Sequence, residues 1–443
     1  LSAACATLVA NLLARCPGLH ILTTSREALR AAGEAIWRVP SLPFPEEAAG
    51  AVPADLPALH ARIAASPAVQ LFVARARLAR HDFALTPENA PAVAEICRRL
   101  DGIPLALELA AARIAVLAPQ HLAERLDDAL RVLSGGPRTA LPRHRTLRAT
   151  LDWSVQLLGE AEEELLARLA VFAGGFTLVA AEAICGQAGA TLETLARLVE
   201  QSLVQVDAPP GEEGEIRYRL LETVRQFAAE RLAQRREDAT YREQHARYFR
   251  AFAAQTPTPT LARLETEVQN LRGALEWLAR HDPPGGLAMM LDLHPFWLSA
   301  DHIRESFAFL TTRFALTDPA NPPRLRLGAL LLGGQLAFYL GDIAQMEAMA
   351  RAALALATDL DLAADQARAY VLCGWGERSR GRFARAAEHQ RAALALGPEG
   401  RVPPQIYYSA LTELANLAID QGDWAGGAAQ YRAILARLRR VDV

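Results

Sequence analysis

Apolar residues along this chain recur mostly at helical spacing. Val69, Phe72, Val73 and Ala76 fall at i, i+3, i+4 and i+7, and Val93, Ile96, Cys97 and Leu100 repeat the pattern, which predicts two amphipathic helices. Asp101-Gly102 breaks the second. Pro104 then stands where a first-turn proline is tolerated, because the N–H it lacks would have no intrahelical partner, so a third helix is expected from Pro104 to about Val116. Nearer the start, an Ala/Leu-rich helix from Cys5 to Leu13 stops at Cys16-Pro17-Gly18. It leads into Leu19-His20-Ile21-Leu22-Thr23-Thr24, a run that reads as a buried strand, and a further strand is expected over Ile36 to Val39. Pro40 to Pro57, with five prolines and one glycine, reads as an extended linker.

Four helical patterns lie between Thr146 and Val206, the last over Thr191 to Ser202. Two short strands follow, Leu203 to Val206 and Ile216 to Leu220, around a Pro-Pro-Gly-Glu-Glu-Gly turn, and helices followed by a hairpin predict a winged helix. The remainder is helical and repeats. Gly341, Gly381 and Gly422 lie 40 and 41 residues apart. Twelve residues after each comes Ala353-Leu354, Ala393-Leu394 or Ile434-Leu435, and seven before each comes Gly334, Gly374 or Ala415. Small residues let the two helices of a hairpin approach, while the bulky Leu packs onto the next hairpin. The pattern resembles tetratricopeptide hairpins. Its period exceeds the roughly 34 residues of those repeats, so longer connections are expected.

Composition narrows the function. The 443 residues, 51% hydrophobic, can build two to four cores, and all 47 basic residues are arginine, as in chains from GC-rich bacterial genomes. A net charge of -3 gives no global positive field, so a sequence-independent grip on nucleic acid or anionic membrane is not implied. Cys5, Cys16, Cys97, Cys185 and Cys373 form no CxxC pair, which argues against zinc and a disulfide framework and fits a reducing cytoplasm. No run reaches the roughly 18 apolar residues of a membrane span. The chain opens at Leu1 without a start methionine and reads as a fragment.

"LHILTTSRE" at 19–27 and "GIPLAL" at 102–107 together resemble the signal-transduction ATPases of the NB-ARC type. "RHRTLRATLDWS" at 143–154, "VFAGGFT" at 171–177, "YRLLETVRQFAAERL" at 218–232 and "NLRGALEW" at 270–277 resemble the bacterial members with LuxR-type or SARP-type output domains. The resemblance implies a mainly α, multidomain chain: the C-terminal remnant of an α/β P-loop NTPase core and linker (1–57), a helical domain with the Gly-x-Pro motif (58–135) and a winged helix (136–236). A helical linker or divergent repeats (237–325) and an α-solenoid of tetratricopeptide-like hairpins (326–443) would follow.

In that family the arginine after the strand senses the γ-phosphate, and the matching position is Arg26, whose planar fork suits phosphate oxygens. Alone it would be read as a surface arginine. The family's Gly-x-Pro matches Gly102, Ile103 and Pro104, the proline lying against adenine, although a glycine stop before a first-turn proline is also common in any helical protein. The implied nucleotide-binding set is Thr24, Arg26, Gly102, Pro104 and Leu105, with ATP or ADP and Mg as cofactors of a longer parent. A Met-His-Asp motif that touches the diphosphate in relatives aligns with Leu220, Leu221 and Glu222. The histidine is thus absent, and Glu222 is either a switch contact or a cap of the next helix. A phosphate-binding loop needs lysine, and this chain has none, so ATP hydrolysis is expected of the parent, as a slow regulatory activity, and not of this chain alone.

Three functions are therefore open. One is a nucleotide-dependent switch of a transcriptional regulator, its repeats sensing a protein or small-molecule inducer, its DNA contacts made by output domains outside the chain, and its oligomeric state dependent on nucleotide. The second is a nucleotide-independent interaction scaffold. The third, a winged-helix DNA binder, is disfavoured by charge: Thr191 to Ser202 carries Glu193 and Glu200 against Arg197, and the wing carries Asp207, Glu212, Glu213 and Glu215. Trp375 and Trp424, at repeat positions where aromatic residues pack, are expected in the core.

Overall fold

Helical periodicity carries through into a mainly α, multidomain architecture, seen in a computed structural model that describes residues 2–16, 18–24, 28–37, 39–45, 56–126, 147–156, 158–186, 190–207, 215–255, 260–299, 302–314, 320–397 and 402–441. Packing divides the chain into two units, Leu1–Tyr248 and Phe249–Val443.

The first unit opens with α1 (Ser2–Arg15). The strands expected at 19–24 and 36–39 do not form among the described residues. Leu22 is 99% exposed, and Ile36, Trp37 and Val39 are exposed too. A strand exists only by pairing, and the three strands described in this unit all belong to the winged helix, so among the described residues these runs have no strand beside them. Nor is the proline-rich segment simply a free linker. The Leu42 N–H donates to the Gly102 carbonyl at 3.1 Å, and the Pro43 carbonyl accepts from the Ala68 N–H (3.2 Å) and the Ser66 hydroxyl (2.8 Å).

Beneath it lie α2 (Leu56–Ala65), α3 (Pro67–Ala79), α4 (Ala90–Arg99), α5 (Pro104–Ala112), which tightens into a 3-10 turn at Arg113–Ala115, and α6 (Pro119–Arg125). Of the predicted periodic residues Val69, Phe72, Ala76, Val93, Ile96, Cys97 and Leu100 are fully buried and form the core, and Val73 is half-buried. Proline begins α3, α5 and α6, where its fixed φ is already helical.

Next come α7 (Leu147–Val155), α8 (Glu160–Leu169), β1 (Phe176–Thr177), α9 (Leu178–Cys185), α10 (Ala190–Glu200), β2 (Gln205–Asp207), β3 (Arg217–Arg219), α11 (Glu222–Gln234) and α12 (Asp238–Ala253), within which the unit ends. The four helices and the hairpin are those predicted. β1 is an addition: it pairs antiparallel with β3, Phe176 opposite Tyr218, and β3 pairs with β2, completing a three-stranded sheet. Gly175, at φ +84°, makes the entry, since a Cβ there would lie 2.9 Å from the Tyr218 carbonyl. The Thr177 hydroxyl then caps α9, accepting from the Ala180 N–H at 3.2 Å. Arg148–Glu230 (2.5 Å) and Arg231–Asp152 (2.9 Å) join α7 to α11.

The second unit continues through α13 (Leu261–Thr266), α14 (Val268–His281), α15 (Pro283–Asp292), α16 (His294–Trp297) and α17 (Ile303–Arg313) to three hairpins: α18 (Pro323–Tyr339) with α19 (Ile343–Asp359), α20 (Ala363–Ser379) with α21 (Phe383–Ala395), and α22 (Pro404–Asp420) with α23 (Trp424–Val441). The long period has a different origin from the one expected. The first helix of each hairpin is 17 residues long and meets its partner across three residues, so most of the added length is in the helices. Along the chain, eight residues separate α21 from α22, against three between α19 and α20. Gly341, Gly381 and Gly422 have φ of +76°, +73° and +87°, the left-handed stop that a residue with a Cβ adopts at a cost.

Gly334, Gly374 and Ala415 are buried, as are Ala353, Ala393 and Ile434. Leu394 packs against a core cluster that includes Ala393, Val402 and Ile406, whereas Leu435 is 52% exposed. Trp375 packs as expected, 4.7 Å from the Phe338 ring, but Trp424, the first residue of α23, is 69% exposed and is not core.

One ionic cluster couples the first two hairpins. Glu347 of α19 is 5% exposed and is met by Arg351 (2.6 Å), Arg380 (3.0 Å) and Arg382 (3.5 Å). Arg382 occupies the N-cap position that Asp342 fills in the first hairpin, where it accepts from the Gln345 N–H at 3.0 Å. The second hairpin thus forgoes a local cap for a contact with its neighbour. Replacing Glu347 by alanine should destabilise the second unit by about 1–3 kcal/mol, since the guanidiniums partly regain water, and Gly381→Ala should cost about 1 kcal/mol. Denaturant midpoints of the two variants check both values.

Candidate functional site

The Gly-x-Pro segment is built by two successive left-handed residues. After α4, Asp101 has φ +51° and Gly102 φ +62°. Aspartate is among the few residues with a Cβ that tolerate this region. Glycine is required next door: a Cβ on Gly102 would lie 2.0 Å from the Leu42 carbonyl oxygen, and the Leu42 N–H donates back to the Gly102 carbonyl. Pro104 follows as the first residue of α5, exposed, with Leu105 half-buried behind it.

The same turn delivers the Asp101 carboxylate to the N-terminus of α11. It accepts from the Glu222 N–H at 2.5 Å and from the Thr223 N–H. Leu221, the residue at the N-cap of α11, has no side-chain acceptor, so the helix borrows its cap from a residue 121 positions away. A carboxylate there also faces the positive end of the helix dipole. Gln226 adds a second tie, donating from Nε2 to the Leu126 carbonyl at 3.1 Å. Glu222 is therefore capped rather than capping. Its own carboxylate turns along the helix to Arg225, at 2.7–2.8 Å.

Asp101 is 8% exposed. Burial pushes its carboxyl up to about 6, against the pull of the Glu222 N–H and of Arg219, whose guanidinium lies 3.9 Å away. The neighbouring Glu222 charge pushes in the same direction as burial.

Around α10 the charges are already engaged. Arg197, its one basic residue, pairs with Glu162 (2.9 Å) and Glu193 (3.0 Å). Glu200 at its end takes Arg30 at 2.8 Å. Across residues 158–233 there are thirteen acidic and six basic side chains.

Of the residues singled out from sequence, Gly102, Pro104, Leu105 and Glu222 come together through Asp101. Thr24 lies exposed in irregular chain, and Arg26 lies outside the described residues. Sequence reading missed Asp101, Leu42, Arg219 and Gln226. An aspartate before a glycine helix stop hints at a left-handed residue, but nothing local names its distant partner. Among the described residues no group of three or more His, Cys, Asp or Glu could hold a metal ion, and no helix is long and apolar enough to cross a membrane.

Comparison with known proteins agrees with the middle of the chain. Residues 158–233 match the model of a winged helix-turn-helix domain. The chain is 39% identical over 390 residues to a "putative HTH-type transcriptional regulator" of Mycobacterium tuberculosis (strain ATCC 25618 / H37Rv), an alignment covering 84% of this chain and 42% of the relative. It is 43% identical over 236 residues to an "uncharacterized protein" of the same strain, covering 52% of this chain and 54% of that one. The chain thus spans about half or less of the curated relatives it matches. Among solved structures, a Signal Transduction ATPase with Numerous Domains (STAND) protein with a tetratricopeptide repeat sensor, from Pyrococcus horikoshii, aligns with 85% of this chain and 54% of its own at a TM-score of 0.35 and 13% identity. The chain therefore carries a winged helix-turn-helix domain and is homologous to proteins named as transcriptional regulators.

The raised Asp101 carboxyl sets a pH dependence. In the unfolded chain it titrates near 3.8 and in the folded one near 6, so the folded state binds the proton more tightly. Its contribution to stability is fully present below about pH 4 and is lost as pH rises through 6. Asp101→Asn keeps an acceptor and a residue at ease with positive φ, and removes the ionisation. At pH 7 it should stabilise the first unit, by at most about 3 kcal/mol, and flatten the profile between pH 4 and 7. Gly102→Ala should destabilise by about 2 kcal/mol or more, through both φ and the Leu42 clash. Thermal unfolding at pH 4.5 and 7 checks both variants.

Proposed function

We propose that this chain is the switch portion of a transcriptional regulator, in which ATP or ADP sets how the winged helix packs on the helical domain. The observation that carries this reading is the meeting of two distant segments, Gly102-Ile103-Pro104 and Leu220-Leu221-Glu222, at one contact made by Asp101. Both were assigned to the nucleotide on sequence resemblance. Pro104 is exposed at the start of α5, where its ring is free to lie against a planar base. Arg26 senses the terminal phosphate and Thr24 flanks it. The chain has no lysine, so the grip on the phosphates and on Mg comes from elsewhere in a longer cytoplasmic protein, as does hydrolysis. The hairpins of the second unit, read as tetratricopeptide-like repeats, receive a protein or small-molecule inducer, and nucleotide state controls self-association.

Direct DNA contact is the second reading, supported by the winged helix-turn-helix match and by the name of the mycobacterial relative. The charge around α10 weighs against it, because Arg197 is held by two glutamates and acids outnumber bases twofold across the domain. DNA contact is assigned instead to output domains beyond this chain.

Calorimetric titration of ADP and ATP into this chain, beside a version extended upstream, tests the first reading. Binding by the extended protein, with loss of the nucleotide response on Arg26→Ala, is the expected result. An unaltered response in that variant removes Arg26 from the site, and no binding by either protein favours a nucleotide-independent scaffold. Anisotropy of labelled duplex DNA with this chain, at physiological salt, should show no binding tighter than the non-specific range of about 0.1 mM to 1 μM.

A further inference from the structure

Across the turn between α20 and α21 the chain carries five arginines, Arg378, Arg380, Arg382, Arg385 and Arg391, and from the first to the last of them a single acid, Glu388. Residues 249–443 as a whole hold twenty arginines and twenty acids, so this excess is local. Three guanidiniums converge on the buried Glu347 carboxylate of α19. Arg351 donates to Oε2 at 2.6 Å, and Arg380 and Arg382 stand 3.0 and 3.5 Å from Oε1. Arg382 also pairs with Glu377. Arg385, in the first turn of α21 and three residues on from Arg382, is exposed and makes no ion pair among the described residues. Arg378 is taken by Glu413 and Asp420 of the third hairpin and stands outside this group.

We propose that Arg351, Arg380, Arg382 and Arg385 form a docking row for an acidic segment of a partner protein, with Glu347 as the residue that sets the guanidiniums in place. Each guanidinium carries about five N–H donors and a carboxylate about four acceptor sites, so Glu347 leaves most of the donors to water or to a ligand. Four guanidiniums against two carboxylates, Glu347 and Glu377, leave an excess of two positive charges. Arg351, Arg380 and Arg385 are exposed and Arg382 is half-buried, so the row is open to a partner. Because Glu347 already restrains three of the side chains, ordering them on a ligand costs less. A single exposed ion pair is worth at most about 1 kcal/mol, so one small anion is held weakly here. A segment with several carboxylates engages α19, the turn and α21 together, and its contacts add. A long nucleic acid suits the surface less, since beyond the row its phosphates meet a unit whose acids equal its arginines. The row belongs to second helices and the turn between them, and not to the first helices α18, α20 and α22. The proposal rests on the reading of the hairpins as a receiving surface, narrows what they receive, and needs no nucleotide.

Fluorescence anisotropy on the full chain tests it, with labelled hexaglutamate as the probe and hexaglutamine as its neutral counterpart. Hexaglutamate should bind and hexaglutamine should not. Arg385→Gln, which breaks no described ion pair, should weaken binding about fivefold, and Arg351→Gln combined with it about tenfold or more. Arg432→Gln with Arg439→Gln removes the same charge from exposed positions of α23 and should leave binding unchanged. Equal weakening by the two double variants would mean diffuse attraction and overturn the row, while leaving the hairpins as a receiving surface. Absence of hexaglutamate binding to a chain with intact helical circular dichroism would overturn the acidic partner. Displacement of the probe by a DNA oligonucleotide of the same charge as readily as by unlabelled hexaglutamate would overturn the choice of a peptide.

Discussion

The first unit depends on one turn of two left-handed residues. Without Asp101 and Gly102 in that conformation, α4 would run on or end differently, the Leu42 segment would lose the backbone it docks on, and α11 would have no acceptor for its first N–H groups. Three stretches of chain, from around residues 42, 101 and 222, are thereby fixed by a few backbone hydrogen bonds and one carboxylate. The cost is a buried charge, which burial disfavours and which Arg219 and the two N–H groups only partly compensate. Structures tolerate such costs where the strained group serves a second purpose, and here the second purpose is to join domains.

What could be read from sequence followed the range of the forces involved. Helix periodicity, proline starts and glycine stops are local, so α3, α4 and α5, the four helices ahead of the wing and the glycines between paired helices were all legible. Strands are cooperative between distant segments. The run at 19–24 has the composition of a strand but no described neighbour to pair with, while β1, two residues beside a left-handed glycine, forms because β3 lies next to it. The site divided in the same way. Gly102 and Pro104 were visible because their spacing is local, whereas Asp101 acquires its role from a partner 121 residues on. Glu222 was legible as a position and not as a contact, since its main-chain N–H and not its carboxylate makes the junction.

The hairpins show how a repeat changes character by substitution at one turn. Asp342 and Asp423 cap the helices they precede, accepting from the Gln345 and Gly426 N–H groups, while Arg382 at the equivalent place reaches a buried glutamate on the preceding hairpin. Stability in stacked repeats is divided between the unit and its interface, and this exchange moves part of it from the unit to the interface. Glu377, in the same hairpin as Arg382, pairs with it too and holds the guanidinium within its own unit. The first two hairpins are accordingly bound more tightly in charge terms than their apolar contacts alone would make them.

The distance along the chain between Asp101 and Glu222 also orders events in time. Loop closure over so long a span is slow compared with forming a helix turn, so the cap of α11 is a long-range contact and the turn it caps a local one. In a chain made from its N-terminus the acceptor exists before the donor has been synthesised. The residues that receive the winged helix therefore precede it along the chain, and the contact between them joins an early carboxylate to the start of a late helix.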